Sequence, residues 1–431
     1  MNICVIKPSM FGGQAKDALP PLLFAILKPL TPPEVKLEFF DENIKRVPKN
    51  INCDVMAISI DTFTARRGYI LASQFRARGI IVVLGGIHAT LCPDEAAQYA
   101  DAVVVGDAED TWGIVVTDLQ KGLLRPRYIS GNNTNLGEIR YDYSVFRGKK
   151  YNPICIVQFS RGCKFSCDFC SVYALHRRVL RTRPVAAVTE IFRQFPRKLL
   201  FFSDDNLFSS LTAVDELLTA LEPLKRRWVC QISMDVARDF ALLCRLRRSG
   251  CVMVIMGFES LSADNLRQMK KSANLEADYE MVITNIRRAG LMLYGTFVIG
   301  YDADTAKTAL ELVAFANKHG FAIANFNPLT PTPGTALYER LEREGRLLYP
   351  HWWNNPNYRY GDTIFEPKSI TSEQLAESCR QARYAFYSFR GILSRLRSVN
   401  VRGFFNTWVY ILVNTVSGTS IRHKQGRRLG G

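Results

Sequence analysis

Residues 160–170 read SRGCKFSCDFC, and this stretch decides more about the fold and chemistry than any other part of the chain. It places Cys163, Cys167 and Cys170 at C-x3-C-x2-C spacing. Thiolates are soft ligands that select iron–sulfur clusters or zinc. A [4Fe–4S] cluster normally takes four thiolates, so three cysteines would leave one iron open to another molecule. A zinc site would need a fourth ligand nearby, and His176 is a candidate for that position.

The spacing of these cysteines, with the aromatic Phe169 directly before the last one, resembles the signature of radical S-adenosylmethionine (SAM) enzymes. The resemblance implies a [4Fe–4S] cluster on Cys163, Cys167 and Cys170, whose open iron is chelated by the amino and carboxylate groups of SAM. It also implies cleavage of SAM to a 5′-deoxyadenosyl radical. The residues alone leave two other interpretations open, which are a zinc site and three unrelated cysteines.

Length and composition describe an ordinary globular protein. The chain has 431 residues, of which 47% are hydrophobic and 22% are charged, so it has room for two domains and an extension. Its eleven cysteines are scattered apart from the trio, and residues 1–6 read into a strand and not into a signal peptide. We therefore expect reduced thiols in a cytoplasmic protein, without a disulfide framework.

Alternating strand and helix patterns predict an α/β protein with two successive sheets. Residues 1–130 predict a Rossmann-like domain, with strands at 2–7, 35–41, 55–60, 80–84 and 102–105. A linker follows at 131–150, and six more strands are predicted near 154–159, 199–203, 229–234, 252–258, 293–299 and 322–327. Periodicity does not separate a doubly wound sheet from a partial barrel, but the resemblance implies a partial (β/α)6 barrel over 151–335. Residues 336–431 are expected to form a mostly helical region with a basic tail.

Side chains at the ends of the barrel strands are candidate SAM contacts by the same resemblance. The sequence FFSDDN at 201–206 ends the second strand, and GFES at 257–260 ends the fourth. The resemblance implies that the polar group at 203–206 holds the methionyl amino group, that Glu259 grips the ribose, and that Ile299 lies against adenine. Asp205 or Asn206 would equally serve as a cap for the following helix. The candidate contacts are Phe169, Asp204, Asp205, Gln231, Ser233, Glu259 and Ile299.

Glycine-rich strand ends in the first 130 residues resemble the cobalamin-binding domain that precedes the barrel in one radical SAM subfamily. The motifs are LGGIHAT at 84–90 and VGDAE at 105–109. Glycine at such turns would let the backbone approach the cofactor closely. The first loop, residues 8–13, contains no histidine, so we expect cobalamin to bind without a histidine cobalt ligand from that loop. The resemblance implies contacts from Gly85, Gly86, His88, Thr90, Gly106 and Glu109, with His88 near the nucleotide tail.

The end of the chain is strongly basic. The net charge is +16, and no acidic residue follows Glu377. The apolar run at 404–413 is shorter than the roughly 20 residues that a membrane span needs. It would either pack against the core, which we favour, or lie in a membrane interface. In the second case, residues 395–428 would attach the protein to an anionic membrane, with Phe404, Phe405 or Trp408 in the lipid.

The subfamily that the chain resembles includes hopanoid and tetrapyrrole methylases. A further similarity is PLTPTPGTALY at 328–338, followed by Trp352 and Trp353, which would either cover a substrate or pack the terminal helices. The resemblance implies a cobalamin-dependent methyltransferase that acts on an unactivated carbon of a hydrophobic small molecule, such as a lipid or pigment. It also implies an electron donor such as a flavodoxin or ferredoxin.

Three alternatives to this function remain. A cyclase or oxidoreductase would use the same two cofactors. An RNA-modifying radical SAM enzyme would exploit the positive charge, but the sequence shows no RNA-binding motif, so nucleic acid is not an expected partner. A cobalamin sensor without enzymatic activity would not need the three cysteines.

Overall fold

The computed structural model describes residues 1–431 except 49, 132–133, 196–197, 397–398 and 400–403, and it leaves the side chains of 404 and 405 undescribed. Its strands are β1 Asn2–Lys7, β2 Lys36–Asp41, β3 Val55–Ser59, β4 Ile81–Gly85, β5 Ala102–Val105, β6 Arg127–Ile129, β7 Ile154–Val157, β8 Ser160–Arg161, β9 Arg181–Thr182, β10 Leu199–Phe202, β11 Trp228–Ile232, β12 Cys251–Glu259, β13 Met292–Ile299 and β14 Ile323–Pro328.

Helices cover most of the connections and the C-terminal region. They are α1 Leu22–Leu30, α2 Ala65–Arg76, α3 Ile87–Leu91, α4 Pro93–Ala97, α5 Ala108–Lys121, α6 Ser171–His176, α7 Val185–Gln194, α8 Leu211–Leu221, α9 Met234–Ala237, α10 Phe240–Arg248, α11 Ala263–Gln268, α12 Ser272–Leu275, α13 Tyr279–Arg288, α14 Thr308–Lys318, α15 Ala336–Arg343, α16 Ser372–Phe386, α17 Phe389–Arg395 and α18 Phe404–Lys424.

The first sheet is parallel and Rossmann-like, as predicted. Its strand order is β2-β1-β3-β4-β5-β6. The chain moves outward from β1 to β2 and then returns to place β3 on the other side of β1. Strand order therefore reverses between β1 and β3, and open sheets bind ligands beyond the carboxyl ends of the strands at such a point. The carboxyl edge of the first sheet is therefore the expected ligand site.

The second sheet is the predicted half-barrel. Its order is β7-β10-β11-β12-β13-β14, so each strand pairs in parallel with the one before it. Strand β12 reads CVMVIMGFE and is buried along most of its length, as expected for a parallel strand covered on both faces. A short antiparallel pair, β8 with β9, lies beside the cysteine stretch. The carboxyl ends of the six strands therefore open on the same side as the cysteines.

The C-terminal region is largely helical, as predicted, and packs on both sheets. Trp352 and Trp353 are buried in the core of the first sheet together with Leu429. Tyr387 and Tyr410 are buried in the core of the half-barrel. Of the two roles considered for the tryptophans, the structure therefore places them in packing. Among the described residues, no helix is long and apolar enough to cross a membrane.

One residue of the range considered for membrane attachment, 395–428, cannot serve in it. Arg395 is completely buried. Its guanidinium donates hydrogen bonds to the carbonyl oxygen of Phe386 at 2.7 Å and to Asn414 Oδ1 at 3.0 Å. Burying a cation requires such partners, and they are supplied by the helices on either side of α17. Arg397, Arg402 and the side chains of 404 and 405 lie outside the described residues.

Candidate active site

The loop that carries the three cysteines is held from two sides. Gly162 has a φ of +96°, and a side chain there would overlap the carbonyl oxygen of Val179. Only glycine lets the chain pass this closely. Below the loop, the buried Asp168 accepts a hydrogen bond from the Tyr301 hydroxyl at 2.6 Å and pairs with Arg340 at 3.2 Å. The cysteines are therefore presented from a fixed backbone.

Cys163, Cys167 and Cys170 line one cavity of about 230 Å³ at the carboxyl ends of the barrel strands. We call it the cluster cavity. Among the described residues, no three Cys, His, Asp or Glu side chains lie close enough to hold one metal ion. In a [4Fe–4S] cluster each thiolate binds a different iron, so its ligands need not meet at one point. The other lining residues include Phe165, Phe169, Val172, Asp205, Asn206, Gln231, Ser233, Gly257, Glu259, Lys271 and Asn274.

The environment of the thiols suits iron ligation. Burial raises the pKa of the Cys167 thiol to about 11, although the nearby charge of Lys271 opposes the shift. Burial also raises the pKa of Cys170. Iron would have to displace these protons, because metals bind the thiolate form. The side-chain amide of Asn206 approaches Cys163 Sγ at 4.0 Å and donates to Ser233 Oγ at 3.2 Å, so it supports the loop at the cavity wall.

An ion pair inside the cluster cavity was not predicted from the sequence. Lys271 Nζ lies 2.9 Å from Glu259 Oε1. Glu259 has a φ of +62°, which turns its carboxylate into the cavity at the end of β12. Burial lowers the pKa of Lys271, but the charges of Glu259 and Cys167 raise it more, so the net shift is upward. Lys271 lies in the turn after α11, where no periodic pattern indicates a site.

The structure brings five of the seven candidate SAM contacts together and leaves two outside. Asp204 faces away from the cavity and accepts hydrogen bonds from the backbone N–H of Phe159 at 3.0 Å and from Ser160 Oγ at 2.6 Å. Burial raises its pKa to about 7 in spite of these bonds. Ile299 is fully buried in the barrel core. The five that line the cluster cavity are Phe169, Asp205, Gln231, Ser233 and Glu259.

A second cavity, of about 500 Å³, lies at the carboxyl edge of the first sheet and faces the half-barrel. We call it the sheet-edge cavity. Gly86 has a φ of +98°, and a Cβ there would lie 2.6 Å from the carbonyl oxygen of Ile60. Five of the six candidate cobalamin contacts line it: Gly85, Gly86, Thr90, Gly106 and Glu109. Its apolar wall comes from Leu22, Leu23, Ile26, Leu27, Trp112, Val172 and Leu175.

His88 is the exception and does not line the sheet-edge cavity. It is completely buried, with Nε2 at 3.3 Å from Glu95 Oε1. Its ring packs edge-on against Trp353, with 5.2 Å between the centroids. The expectation that His88 lies near a bound nucleotide tail is therefore not met. Its ring contacts Glu95 and the C-terminal Trp353 and not the sheet-edge cavity.

Arg161, within the cysteine stretch, connects the two sheets. Its guanidinium lies 2.8 Å from Asp107 Oδ1 and 2.7 Å from Glu109 Oε1. Burial raises the pKa of Asp107, but the charges of Arg161 and Arg181 lower it more, so the net shift is downward. These carboxylates follow β5 in the first sheet, so the ion pairs fix the sheet-edge cavity against the cysteine loop.

The two cavities meet. Val172 and Asp205 line both of them. Asp205 accepts a hydrogen bond from the backbone N–H of Gly162 at 3.1 Å, which places its carboxylate at the junction. His176, the fourth ligand that a zinc site would need, lines only the sheet-edge cavity and contacts Arg181 at 3.2 Å. The arrangement therefore suits two neighbouring cofactor sites and not a closed zinc site with His176.

Residues 157–316 match the radical SAM superfamily. Among curated relatives, the chain is 28% identical to bacteriochlorophyllide d C-12(1)-methyltransferase of Chlorobaculum tepidum, over 88% of this chain and 84% of the relative. It is 25% identical to hopanoid C-2 methylase of Rhodopseudomonas palustris, over 77% of this chain and 66% of the relative. The radical SAM interpretation of the cysteine stretch is thereby confirmed.

Solved structures share the fold of nearly the whole chain. The cobalamin-dependent SAM radical enzyme OxsB, solved with aqua-cobalamin and SAM bound, aligns with a TM-score of 0.64 at 13% identity, over 98% of this chain and 72% of that one. The radical SAM methyltransferase TsrM of Kitasatospora setae, solved with cobalamin and a [4Fe–4S] cluster, aligns with a TM-score of 0.63 at 14% identity, over 90% and 82%. The predicted order of a Rossmann-like sheet followed by a half-barrel is confirmed.

Proposed function

We propose that this chain, which carries a radical SAM domain over residues 157–316, is a cobalamin-dependent methyltransferase acting on an unactivated carbon of a hydrophobic small molecule. The observation that carries the proposal is the meeting of the cluster cavity and the sheet-edge cavity at Val172 and Asp205. A radical source and a methyl donor must reach the same carbon, so their sites must adjoin. The names of the methyltransferase relatives support the same reaction class.

The residues fit the two cofactor sites in chemistry and position. When bound, the cluster with SAM supplies a 5′-deoxyadenosyl radical, and cobalamin supplies a methyl group. Gly86 and Gly106, both with positive φ, let the chain turn tightly at the edge of the first sheet, where they line the sheet-edge cavity. The residues proposed to hold iron are Cys163, Cys167 and Cys170; those proposed to hold SAM are Phe169, Asp205, Gln231, Ser233 and Glu259.

The protein contributes exclusion of water and a fixed geometry. The apolar wall of the sheet-edge cavity, which includes Ile26, Trp112 and Leu175, would lie beside cobalamin and a hydrophobic substrate next to it, and would keep water from a reactive intermediate. The ion pairs of Arg161 with Asp107 and Glu109 fix the position of the sheet-edge cavity relative to the cluster cavity. We propose a pigment or lipid as the substrate class, because the relatives named above act on a bacteriochlorophyllide and on hopanoids.

The reaction can be tested with SAM that carries a trideuterated methyl group. The reconstituted protein is incubated with bacteriochlorophyllide d or with a hopanoid, and the products are analysed by mass spectrometry. We expect a product in which one hydrogen is replaced by a trideuteromethyl group. A product that has lost hydrogen or gained a ring without the label would instead indicate an oxidase or a cyclase. Extracts of a strain that lacks the gene would identify the natural compound.

Iron content tests the cluster ligands separately. Anaerobically reconstituted protein should hold about four iron atoms per chain. The triple variant Cys163→Ala, Cys167→Ala, Cys170→Ala should lose this iron and all SAM cleavage. Cys244→Ala, which changes a half-buried free thiol outside the cluster cavity, is the matched control and should keep both. Full iron content in the triple variant would contradict the proposed ligand set.

Electron paramagnetic resonance tests the cobalamin site. The first loop, residues 8–13, contains no histidine, and His88 is bonded to Glu95. His176 lines the sheet-edge cavity, but its Nδ1 lies 3.2 Å from Arg181, and a split spectrum that persists in His176→Ala would exclude it as the ligand. We therefore expect the Co(II) spectrum of the bound cofactor to lack the triplet splitting that an axial nitrogen causes. A split spectrum would contradict this mode of binding, and a failure to bind cobalamin would remove the methyltransferase proposal.

We also propose a peripheral contact with an anionic membrane through α17 and α18. Apolar side chains stand exposed on both helices, with Phe389 79% and Trp408 49% accessible, and Ile411 lies beside Trp408 on the same face. The exposed Arg390 and Arg422 flank these residues. Exposed aromatics with neighbouring arginines favour an interface containing acidic lipids, where each basic residue adds about 1 kcal/mol.

Sedimentation with vesicles tests this contact. Wild-type protein should sediment with phosphatidylserine vesicles at low salt, and binding to neutral phosphatidylcholine vesicles should be much weaker. Trp408→Ser with Ile411→Ser should reduce binding about tenfold or more, since each loses its buried apolar area in the interface. Leu123→Ser, an exposed leucine after α5, is the matched control. Negligible binding to both vesicle types would refute the contact.

A further inference from the structure

Three basic residues near the cysteines have a backbone conformation that is strained for any residue except glycine. Arg177, Arg178 and Lys270 have φ values of +44°, +65° and +58°. Among the non-glycine residues that the structure describes, only Lys225 and Glu259 share a positive φ. Such strain persists only where the surrounding structure enforces it, and it concentrates at functional sites.

Two of these residues touch or adjoin the cysteine loop. Arg178 Nη2 donates a hydrogen bond to Ser166 Oγ at 2.7 Å, and Ser166 lies between the first two cysteines. Lys270 follows Met269, whose carbonyl oxygen accepts from the backbone N–H of Asp168 at 3.1 Å. Arg178 therefore reaches the loop through its side chain, and the turn at Lys270 reaches it through the backbone. Neither Arg178 nor Lys270 lines the cluster cavity, whereas Lys271, the next residue, does.

The third strained residue and a lysine of the loop add two more basic side chains beside the cysteines. Arg177 caps α6, the helix that begins directly after Cys170. Lys164 lies within the loop and pairs with Asp235 at 2.6 Å. Lys164, Arg177, Arg178 and Lys270 are all exposed. We call these four residues the basic collar.

We propose that the basic collar is the docking surface for an acidic one-electron carrier protein of the flavodoxin or ferredoxin type. The inference rests on the proposed function, because SAM cleavage needs an electron at the cluster. In the transfer, the carrier is oxidised by one electron and the cluster is reduced by one, and no bond forms or breaks. Positive charge around the loop would steer an acidic partner to the place where its cofactor comes nearest the cysteines.

Binding is tested with a purified oxidised flavodoxin by isothermal titration calorimetry at low and high salt. Arg177→Glu and Arg178→Glu, singly and together, should weaken binding about tenfold or more at low salt, and high salt should weaken wild-type binding. Lys225→Glu is the matched control. Lys225 is also an exposed basic residue with a left-handed backbone, but it precedes β11 and lies at the amino end of the barrel strands. Equal affinity in all variants would overturn the proposal.

A comparison of two reductants distinguishes a loss of flavodoxin docking from a loss of catalytic activity. SAM cleavage is measured with reduced flavodoxin and, separately, with dithionite, which needs no docking surface. The collar variants should lose activity with flavodoxin and keep wild-type activity with dithionite. Loss with both reductants, together with lost iron, would show that the substitutions damage the loop and would overturn docking as the explanation. Absence of SAM cleavage by the wild type with dithionite would instead refute the proposed function.

The hydrogen bond of Arg178 to Ser166 makes one further control necessary. Ser166→Ala removes that bond without changing charge. It should leave flavodoxin affinity and iron content unchanged. If Ser166→Ala reproduces the effect of Arg178→Glu, Arg178 serves to position the loop, and the docking role assigned to it is wrong.

Discussion

Lys271 and Glu259 show how a single ion pair shapes the cluster cavity. Their side chains are only 19% and 8% exposed, with 2.9 Å between Nζ and Oε1. The charge of Glu259 helps to raise the pKa of Lys271, so the lysine stays protonated at neutral pH despite its burial. Breaking a buried pair by removing one partner is costly, because the other charge remains without compensation.

We predict that Lys271→Met destabilises the cluster-free protein by about 3 kcal/mol. The double variant Lys271→Met, Glu259→Gln should recover a large part of this loss, because it leaves no unpaired charge. Urea denaturation at neutral pH measures both free energies of unfolding. Lys270→Met, the exposed neighbour, is the matched control and should stay within about 0.5 kcal/mol of the wild type. Similar values for Lys270→Met and Lys271→Met would contradict the prediction.

The errors in the candidate site have a common physical origin. Successive residues at a strand end point in opposite directions, so Asp205 lines the cavity while Asp204 turns inward to Ser160. The sequence does not say which of two adjacent aspartates faces the ligand. His88 is oriented by Glu95 and Trp353, and the second of these lies far along the chain. Such orientations depend on tertiary contacts that no local pattern records.

At the scale of elements, long buried strands were predictable and short ones were not. Strand β12 covers residues 251–259, where the pattern predicted 252–258. Parallel strands covered on both faces read as continuous apolar runs, which explains this agreement. Strands β6, β8 and β9 have only two or three residues and carry no such pattern. The pair β8–β9 nevertheless positions the cysteine loop, so part of the site depends on an element that the sequence does not reveal.

A single buried arginine, Arg395, anchors the C-terminal helices. Arg395 donates to the Phe386 carbonyl oxygen at 2.7 Å and stacks on the Phe386 ring, with Cζ 3.5 Å from the centroid. It also donates to Asn414 Oδ1 in α18 at 3.0 Å. One cation therefore ties α17 to the helices before and after it. Removing it would leave these buried acceptors without a donor.

We predict that Arg395→Leu loosens α17 and α18 at a cost of about 2–3 kcal/mol in the free energy of unfolding. Limited proteolysis should release the C-terminal segment of the variant at lower protease concentration than in the wild type. Arg390→Leu changes an exposed arginine of the same helix and is the matched control, with little expected change. Equal cleavage of the two variants would show that Arg395 does not anchor these helices.

At the scale of the whole molecule, Glu95 joins the first sheet to the C-terminal region. Its carboxylate accepts hydrogen bonds from Trp353 Nε1 and His351 Nδ1, both at 2.9 Å. Oε1, which accepts from Trp353, also lies 3.3 Å from His88 Nε2. Burial raises the pKa of Glu95, but the hydrogen bonds from His88, His351 and Trp353 lower it more, to about 2.

A lowered pKa makes this junction sensitive to acid. The ordinary pKa of the carboxyl group is 4.5, and its value in the folded state is about 2. The stabilisation is therefore fully present above pH 4.5 and is lost as the pH falls from 4.5 toward 2. The difference in pKa corresponds to about 3 kcal/mol at neutral pH. Asp204, whose pKa is raised to about 7, titrates in the opposite sense, so a comparison with a variant is needed to isolate Glu95.

We predict that Glu95→Gln lowers the free energy of unfolding by about 3 kcal/mol at pH 7, and that this deficit shrinks steadily below pH 4.5. Urea denaturation of wild type and variant between pH 7 and pH 3 measures the deficit, and the contribution of Asp204 cancels because both proteins contain it. Glu342→Gln, at an exposed glutamate of α15, is the control and should show a small deficit that does not vary with pH. A Glu95→Gln deficit that stays constant down to pH 3 would mean that the carboxylate charge is not what holds the C-terminal region to the first sheet.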